Sequence, residues 1–206
     1  LLGRYQGQGY TQIYNDDINQ YNEDYHATVD QMRLAGVTTA HQQLGFLTAG
    51  QSRWSGGTTL DGVNGVSGFE LTGDKKLTTL SGGFGSETDT GVKSGITAKK
   101  SYFVFGDKIV YLGSGINNLG YDVNVDSVES IVENRKASAS MQLSVDGTNV
   151  VSANGSDTIS NPQWAYLSGK TANSGIGYVF LEDMDLYVKR ETRNATWSDV
   201  NKLAKF

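Results

Sequence analysis

Proton-transfer chemistry could come from two residues, because His26 and His41 are the only histidines in the chain. His26 directly follows Tyr25, and a His/Tyr pair can move a proton near neutral pH. A lone His beside a Tyr carries little specificity, so we expect both histidines to be ordinary surface or interface residues. The chain has no cysteine, which excludes disulfides, thiolate metal sites and a cysteine nucleophile.

Other short motifs are too weak to assign chemistry. Gly113-Ser114-Gly115 follows a strand pattern and leads into Ile-Asn-Asn rather than a helix, which argues against a serine hydrolase. Gly7-x-Gly9 lacks a preceding strand and a third glycine, so it predicts no nucleotide site. Asp16-Asp17 and residues 182–185 offer oxygen atoms to calcium, but neither has the spacing of a calcium loop. We expect no cofactor, and a structural calcium ion is the alternative left open.

Aromatic residues with polar neighbours suit sugar binding. Trp and Tyr rings stack on the apolar faces of pyranose rings, while Arg, Gln and Asn bond to the hydroxyl groups. Trp54 follows Arg53, and the N-terminal segment combines a tyrosine with an arginine and a glutamine. Trp164 and Trp197 lie within apolar, strand-like patterns and are predicted to be core residues. The predicted substrate-binding residues are Arg4, Gln8, Tyr10 and Trp54.

Charge and composition narrow the classes of protein. The net charge is -5, the isoelectric point is about 5.0 and no basic run occurs, which argues against a nucleic-acid partner. No stretch of about 18 apolar residues exists, so the sequence predicts no membrane span. Glycine is abundant, with 26 residues against a single proline. Together with the Ser, Thr, Asn and Tyr content, this predicts short strands joined by tight turns.

Residues 54–190 are predicted to be all-β. The apolar runs 102–105 and 109–112 flank Gly106-Asp107-Lys108, which predicts a hairpin that places Phe103 and Phe105 beside Ile109 and Tyr111. Residues 128–134, 141–145 and 176–180 alternate as strands do. The pattern predicts a sandwich of antiparallel sheets. Further turn signals are Gly56-Gly57, Asp61-Gly62, Asn64-Gly65, Gly82-Gly83, Asp146-Gly147 and Asn154-Gly155.

The first forty residues differ from the rest. Residues 16–34 have helical spacing but many Asn and Asp, so we predict an irregular segment with one or two helical turns. We assign residues 1–40 to a connecting segment and residues 41–206 to a β-sandwich domain. The chain begins at Leu1 without Met and ends at Phe206 without a tail. We therefore expect both ends to be cuts through a longer chain.

Seven short sequence segments, here called blocks, follow one another along the chain. The most specific block is 98–103 followed by 108–116, and in 34–39 Ala35 stands where a proline is usual. The other blocks are residues 1–9, 14–21, 128–136, 176–180, and 188–190 with 197–201. Together these blocks resemble the hyaluronate, chondroitin AC and xanthan lyase family of polysaccharide lyases, and the resemblance covers nearly the whole chain.

This resemblance implies a fold and an activity. The fold is a central antiparallel β supersandwich, galactose-mutarotase-like, normally preceded by an α/α toroid and followed by a small β domain. The resemblance thus places residues 1–40 at the end of the helical catalytic domain and implies that the sandwich of residues 41–206 is incomplete at its C-terminal end. The activity is β-elimination next to a uronic acid, in which the carboxylate is neutralised and a Tyr/His pair removes the C5 proton. The developing dianion must be stabilised before any base can act. In the family the Asn, His, Tyr and Arg that do this lie in the helical domain, so no catalytic residue is carried over.

The resulting hypothesis is a segment of a secreted bacterial polysaccharide lyase, a carbon-oxygen lyase acting on hyaluronan- or chondroitin-type polymers. The segment would form the β-sandwich wall of the cleft and be inactive alone. Its expected partners are an acidic polysaccharide and an upstream helical catalytic domain, with no nucleic acid and no membrane. Two alternatives remain: a noncatalytic carbohydrate-binding β-sandwich module, and a structural β-sandwich of a phage or surface protein.

Overall fold

A computed structural model describes residues 5–41, 48–49, 52, 54–72, 75–76, 95–118 and 127–201. The chain divides into two compact units. Unit 1 contains Leu1–Thr11 and Asp30–Glu133, and unit 2 contains Gln12–Val29 and Asn134–Phe206. The sequence analysis divides the chain once, at residue 40, whereas each compact unit combines two separate segments. The boundary at residue 40 stays a prediction.

Short strands dominate both units. In unit 1, 3-10 helices at Gln6–Gln8 and Gln31–Arg33 accompany β1 (Thr38–Thr39), β2 (Thr48–Ala49), β3 (Ser55–Leu60), β4 (Asn64–Leu71), β5 (Lys75–Lys76), β6 (Thr97–Phe105), β7 (Lys108–Asn117) and β8 (Glu129–Ser130). In unit 2, a 3-10 helix at Ile18–Gln20 and α1 (Tyr25–Thr28) precede β9 (Leu143–Val145), β10 (Thr148–Val150), β11 (Gly155–Ser160), β12 (Trp164–Leu167), β13 (Ile176–Val179), β14 (Asp185–Arg190) and α2 (Trp197–Asn201). Every strand pairing among the described residues is antiparallel, which confirms the all-β prediction.

Unit 1 is built around a four-stranded sheet in the order β3-β4-β6-β7. The turn between β3 and β4 is the one predicted at Asp61-Gly62, where both residues have positive φ, 56° and 74°. The Asp61 carboxylate accepts hydrogen bonds from the backbone N–H groups of Val63 (3.2 Å) and Asn64 (3.1 Å), which closes the turn. Two further β-strands pair as β1-β8, and another two as β2-β5.

Two other predicted turns in this region are wrong. Gly56-Gly57 lies inside β3, and Asn64-Gly65 forms the start of β4. A Cβ added to Gly57 would lie 2.7 Å from the Val66 carbonyl oxygen, so glycine here permits close approach of the neighbouring strand. The predicted turn at Gly82-Gly83 lies outside the described residues.

The predicted hairpin at residues 102–112 is confirmed, but its register is not the expected one. Strands β6 and β7 are joined by two residues, Gly106 and Asp107, so Phe105 pairs with Lys108 and Phe103 with Val110. A turn of two residues rather than three shifts the pairing and moves side chains to the opposite face. The two phenylalanines therefore face away from Ile109 and Tyr111, and Phe105 is 54% exposed.

The two faces of the unit 1 sheet have different environments. One face contributes to a buried cluster of Leu71, Ile96 and Ala98, to which Phe69 adds a partly buried ring. The other face, which we call the outer face, carries exposed apolar side chains interleaved with small polar ones. Its exposed apolar residues are Leu60, Val66, Phe105, Val110 and Leu112.

Unit 2 contains the short helical turns predicted for residues 16–34, which reach only three or four residues each before the backbone leaves helical geometry. Its larger sheet has the order β10-β9-β12-β13, and β11 pairs with β14. The predicted turn at Asp146-Gly147 joins β9 to β10 with positive φ at both residues. Within the described residues, no helix is long and apolar enough to cross a membrane.

The core assignments of Trp164 and Trp197 are wrong. Trp164 lies on β12 beside Ala165, and the alanine is the residue that points inward, at 4% exposed. Trp164 itself is 40% exposed and Trp197 is 44% exposed. The alternation of β12 is as predicted for a strand, but a sequence pattern does not reveal which face of the strand is covered.

Candidate functional site

A buried lysine anchors the N-terminal segment to the sheet of unit 1. The Lys100 Nζ on β6 donates to the Thr38 Oγ1 at 3.0 Å, to the Gln8 carbonyl oxygen at 3.4 Å and to the Gly36 carbonyl oxygen. Lys100 is only 8% exposed. These three acceptors are neutral oxygen atoms, and burial lowers the pKa of the Lys100 ammonium from 10.5 to about 8.

Two glycines allow this close approach. Gly9 has φ 104°, and a Cβ there would lie 2.7 Å from the Lys100 Nζ and 2.9 Å from the Tyr102 hydroxyl. Gly36 has φ 80°, and a Cβ there would lie 2.6 Å from the Gly9 carbonyl oxygen. Gly9 is thus explained by packing on the sheet rather than by a phosphate, whereas a Cβ added to Gly7 would meet no atom within 4 Å.

An aromatic cluster surrounds this anchor. The Tyr102 ring lies 5.2 Å from the Tyr111 ring in edge-to-face geometry and stacks on Phe69 at 6.4 Å. The Tyr102 hydroxyl donates to the Gly9 carbonyl oxygen at 3.4 Å. Burial raises the pKa of Tyr102 to about 12, and burial also raises the pKa of Tyr111. Both phenols therefore stay neutral near pH 7 and act as packing groups.

The predicted substrate-binding residues of the N-terminal segment fall into two groups. Gln8 is 3% exposed, and the hydroxyl oxygen of Tyr10 is shielded from solvent. Their side chains are thus part of the packing of unit 1, and their contact with a sugar stays a prediction. Arg4 and Arg53 lie outside the described residues.

Trp54 is an exposed ring close to the backbone of β4. It immediately precedes β3 and is 52% exposed. A Cβ added to Gly68 would lie 2.8 Å from the Trp54 Cη2 atom, so the far edge of the indole lies over this glycine. The same added Cβ would lie 3.3 Å from the Ser101 Oγ, which places a hydroxyl group beside the ring.

Two polar residues on the same face of the sheet as Trp54, Lys99 and Ser101, were missed from the sequence. The backbone N–H of Glu70 donates to the Trp54 carbonyl oxygen at 2.9 Å, and Glu70 pairs with Lys99 on the next strand. Lys99 and Ser101 are two residues apart on β6, so both lie on the outer face with Trp54. Lys99 is exposed. The alternation of β6 could have shown that Lys99 and Ser101 share a face, but their nearness to Trp54 depends on the strand register.

The Tyr25/His26 pair in unit 2 has a structural arrangement. Tyr25 is 1% exposed, and its hydroxyl donates to the Asn134 carbonyl oxygen at 2.8 Å. The His26 ring lies edge-to-face on Tyr25 at 4.9 Å, and burial lowers the pKa of His26. Tyr21 packs edge-to-face on the other side at 5.4 Å, with the Arg135 guanidinium 5.1 Å above its ring. This stack gives the pair a packing role.

The acidic segment 182–185 is exposed, and one of its carboxylates has a protein partner. The Ser160 hydroxyl donates to the Asp185 Oδ1 at 2.7 Å. Among the residues that the structure describes, no three His, Asp or Glu side chains come together in a way that could hold a metal ion.

Comparison with known proteins gives a consistent result. Residues 1–205 match the model of the polysaccharide lyase family 8 super-sandwich domain. The chain is 35% identical over 209 residues to a xanthan lyase of Bacillus sp. (strain GL1), covering 97% of this chain and 20% of that protein. It is 29% identical over 208 residues to a hyaluronate lyase of Staphylococcus aureus (strain NCTC 8325 / PS 47), covering 100% and 23%.

A further relative is the hyaluronate lyase HylB of Enterococcus faecalis (strain ATCC 700802 / V583), which is 32% identical over 206 residues, covering 97% of this chain and 19% of that protein. The chain thus spans about a fifth of the length of these relatives. The family match extends over almost every residue, and the antiparallel sheets described above agree with it. The chain therefore belongs to polysaccharide lyase family 8, in which residues 1–205 correspond to the super-sandwich domain.

Proposed function

We propose that this chain is part of a lyase that cleaves acidic, glycosaminoglycan-like polymers of the hyaluronan or chondroitin type by β-elimination. Its β-sandwich would form one wall of the substrate cleft. The family membership supports the lyase class, and relatives named as hyaluronate lyases and a xanthan lyase support an acidic polysaccharide as the substrate.

The observation that carries the cleft-wall role is the arrangement around Trp54. The indole is half exposed with its far edge over Gly68, and Ser101 provides a hydroxyl group near the same glycine. Lys99 on the same face provides a positive charge for a uronate carboxylate. A stacking ring, a hydroxyl and a cation together match the apolar face, the hydroxyl groups and the carboxylate of a uronic acid polymer.

The chemistry of elimination is assigned to another part of the protein. Abstraction of the C5 proton needs a base and a group that neutralises the carboxylate, and we propose that an upstream helical domain supplies both. The isolated segment is then expected to bind polymer without cleaving it. A secreted location follows from a polymeric substrate too large to enter a cell, and it is part of this proposal.

The test is Trp54→Ala in the full-length protein, assayed by the ultraviolet absorbance of the unsaturated uronate product from hyaluronan, chondroitin and xanthan. Loss of one stacking contact predicts a roughly tenfold rise in KM, about 1.4 kcal/mol, with little change in kcat. Trp197→Ala, which removes another exposed indole, is the matched control and should leave KM unchanged.

The outcomes separate the competing functions. An unchanged KM in Trp54→Ala would remove the cleft-wall assignment while leaving the lyase class in place. A wild-type protein that binds these polymers but forms no unsaturated product would favour the noncatalytic carbohydrate-binding module. Arg4→Ala, at a residue outside the described part of the chain, is expected to raise KM as well if the N-terminal segment reaches the substrate.

A further inference from the structure

Unit 2 contains an open cleft of about 360 Å³ whose residues have no role in the function proposed above. It lies between the segment around the 3-10 helix at Ile18–Gln20 and the stretch 136–141, with Lys170 at one side. Its polar lining consists of Asp17, Asn19, Glu23, Lys136, Ser138 and Lys170. This volume is at the lower end of the usual range for small-molecule sites, about 300–1,000 Å³.

The floor of the cleft is buried and held in place. Gln20 is 2% exposed and Met141 is 1% exposed, and both line the cleft. The backbone N–H of Lys136 donates to the Gln20 carbonyl oxygen at 3.2 Å, which ties the two walls together. The Arg190 guanidinium donates to the carbonyl oxygens of Ser138 (2.7 Å) and Met141 (2.9 Å), which fixes the turn at that wall.

The side chains that line the cleft include hydrogen-bond donors, acceptors and groups that do both. Asp17 and Glu23 accept, Lys136 and Lys170 donate, and the Asn19 amide and the Ser138 hydroxyl do both. Asp17 is 8% exposed, and the Gln20 Nε2 on the floor of the cleft donates to the Asp17 Oδ2 at 3.4 Å. This hydrogen bond fixes the orientation of the carboxylate. The Lys136 Nζ lies 2.9 Å from the Asp24 Oδ1 and 4.0 Å from the Glu23 Oε2, which holds that ammonium group at the rim.

The charges of the lining residues favour a neutral ligand over a metal ion or an anion. Two carboxylates and two ammonium groups line the cleft, so its formal charge cancels. A metal ion would be repelled by the lysines, and an anion would be repelled by Asp17 and Glu23. A sugar hydroxyl both donates and accepts, so a ring with several hydroxyl groups satisfies both kinds of lining group at once.

We propose that this cleft binds one or two neutral sugar rings of a polysaccharide, as a second saccharide site in a different unit from Trp54. The inference rests on the proposed function for the polymeric nature of the ligand, and on the cleft itself for the neutral sugar. Such a site holds a neutral part of the polymer while the charged part is recognised elsewhere.

The experiment uses the full-length protein and cellotetraose, a neutral unbranched probe, in isothermal titration calorimetry. Asn19→Ala and Lys170→Ala alter exposed residues of the lining and are not expected to disturb folding. Each variant is expected to weaken cellotetraose binding about tenfold. Asn149→Ala and Lys108→Ala, at exposed positions outside the cleft lining, are the matched controls and should change the dissociation constant by less than about twofold.

The outcomes distinguish this proposal from the one on which it rests. If the wild-type protein eliminates a uronate polymer but gives no heat with cellotetraose, or if neither lining variant weakens binding, the neutral-sugar site is refuted alone. Sodium glucuronate binding as tight as that of cellotetraose, and weakened to the same extent by Asn19→Ala and Lys170→Ala, would instead identify an anion site in this cleft and overturn the neutral-sugar assignment. Absence of unsaturated product from hyaluronan, chondroitin and xanthan would refute the proposed lyase function, whatever the cleft binds.

Discussion

Lys100 makes the stability of unit 1 depend on pH in a direction that can be calculated. Its ammonium is buried among neutral oxygens, and its pKa falls from 10.5 to about 8 in the folded chain. Between these two values the unfolded chain binds more protons than the folded chain, so the free energy of unfolding rises with pH. A lowering of about 2.5 pKa units corresponds to about 3 kcal/mol across the whole window.

The perturbation is Lys100→Met, which keeps the aliphatic stem and removes the charge. Below pH 8 the variant loses three hydrogen bonds but also loses the cost of a buried charge, so its stability should lie within about 2 kcal/mol of wild type. As the pH rises to 10, wild type gains about 2 kcal/mol that the variant does not. Above pH 10 a second effect enters, because the pKa of Tyr102 is raised to about 12 and folding then opposes its ionisation.

The assay is urea unfolding followed by tryptophan fluorescence between pH 7.5 and pH 10. Trp54 is the single tryptophan of unit 1, since the chain has three and Trp164 and Trp197 are in unit 2. A background with Trp164→Phe and Trp197→Phe therefore reports on unit 1. Lys99→Met, the neighbouring exposed lysine, removes the same charge and should retain the wild-type pH dependence. Parallel pH profiles for wild type and Lys100→Met would refute the reasoning.

Two further perturbations test packing within each unit. Arg33→Met in unit 1 removes a two-pronged ion pair to Glu129 with both distances 2.8 Å. Because both side chains are about 30% exposed, we expect a loss of only about 1 kcal/mol in urea unfolding, and a loss above 3 kcal/mol would contradict this. Tyr25→Phe in unit 2 removes the partly buried hydrogen bond from the Tyr25 hydroxyl to the Asn134 carbonyl oxygen. We expect the free energy of unfolding to fall by about 1 kcal/mol in calorimetry, with His26→Ala as the comparison. An unchanged melting temperature in Tyr25→Phe would show that the aromatic stack alone carries the stability.

Local chemistry made the all-β character readable from the sequence. Asp61-Gly62 and Asp146-Gly147 adopt positive φ at low cost, so each could be predicted as a turn without knowing its neighbours. Alternation of apolar residues depends only on the geometry of one strand, and it located β6, β7, β9 and β13. Trp54 was selected from the sequence as a candidate sugar-binding residue, and the structure leaves it 52% exposed.

Burial and register depend on which strands meet, and one strand does not contain that information. The alternation around Trp164 identified a strand, but the covered side of the sheet made Ala165 the buried residue instead. The hairpin signal at residues 102–112 was correct, yet a two-residue turn placed Phe103 opposite Val110 and away from Tyr111. A change of one residue in a turn reverses the faces of a strand, and sequence patterns resolve turns less finely than that.

The candidate sites depend on tertiary packing even more than burial and strand register do. The amino-acid sequence determined that the chain is an antiparallel β protein rich in glycine turns, because turn propensity and alternation act over a few residues. Only the tertiary structure decided that Lys100 is buried against Gly36 and that the far edge of the Trp54 indole lies over Gly68. It also joined residues 12–29 to residues 134–206 in one unit, which formed the cleft. Contacts between residues so far apart in the chain arise from packing of the whole domain, which no local pattern records.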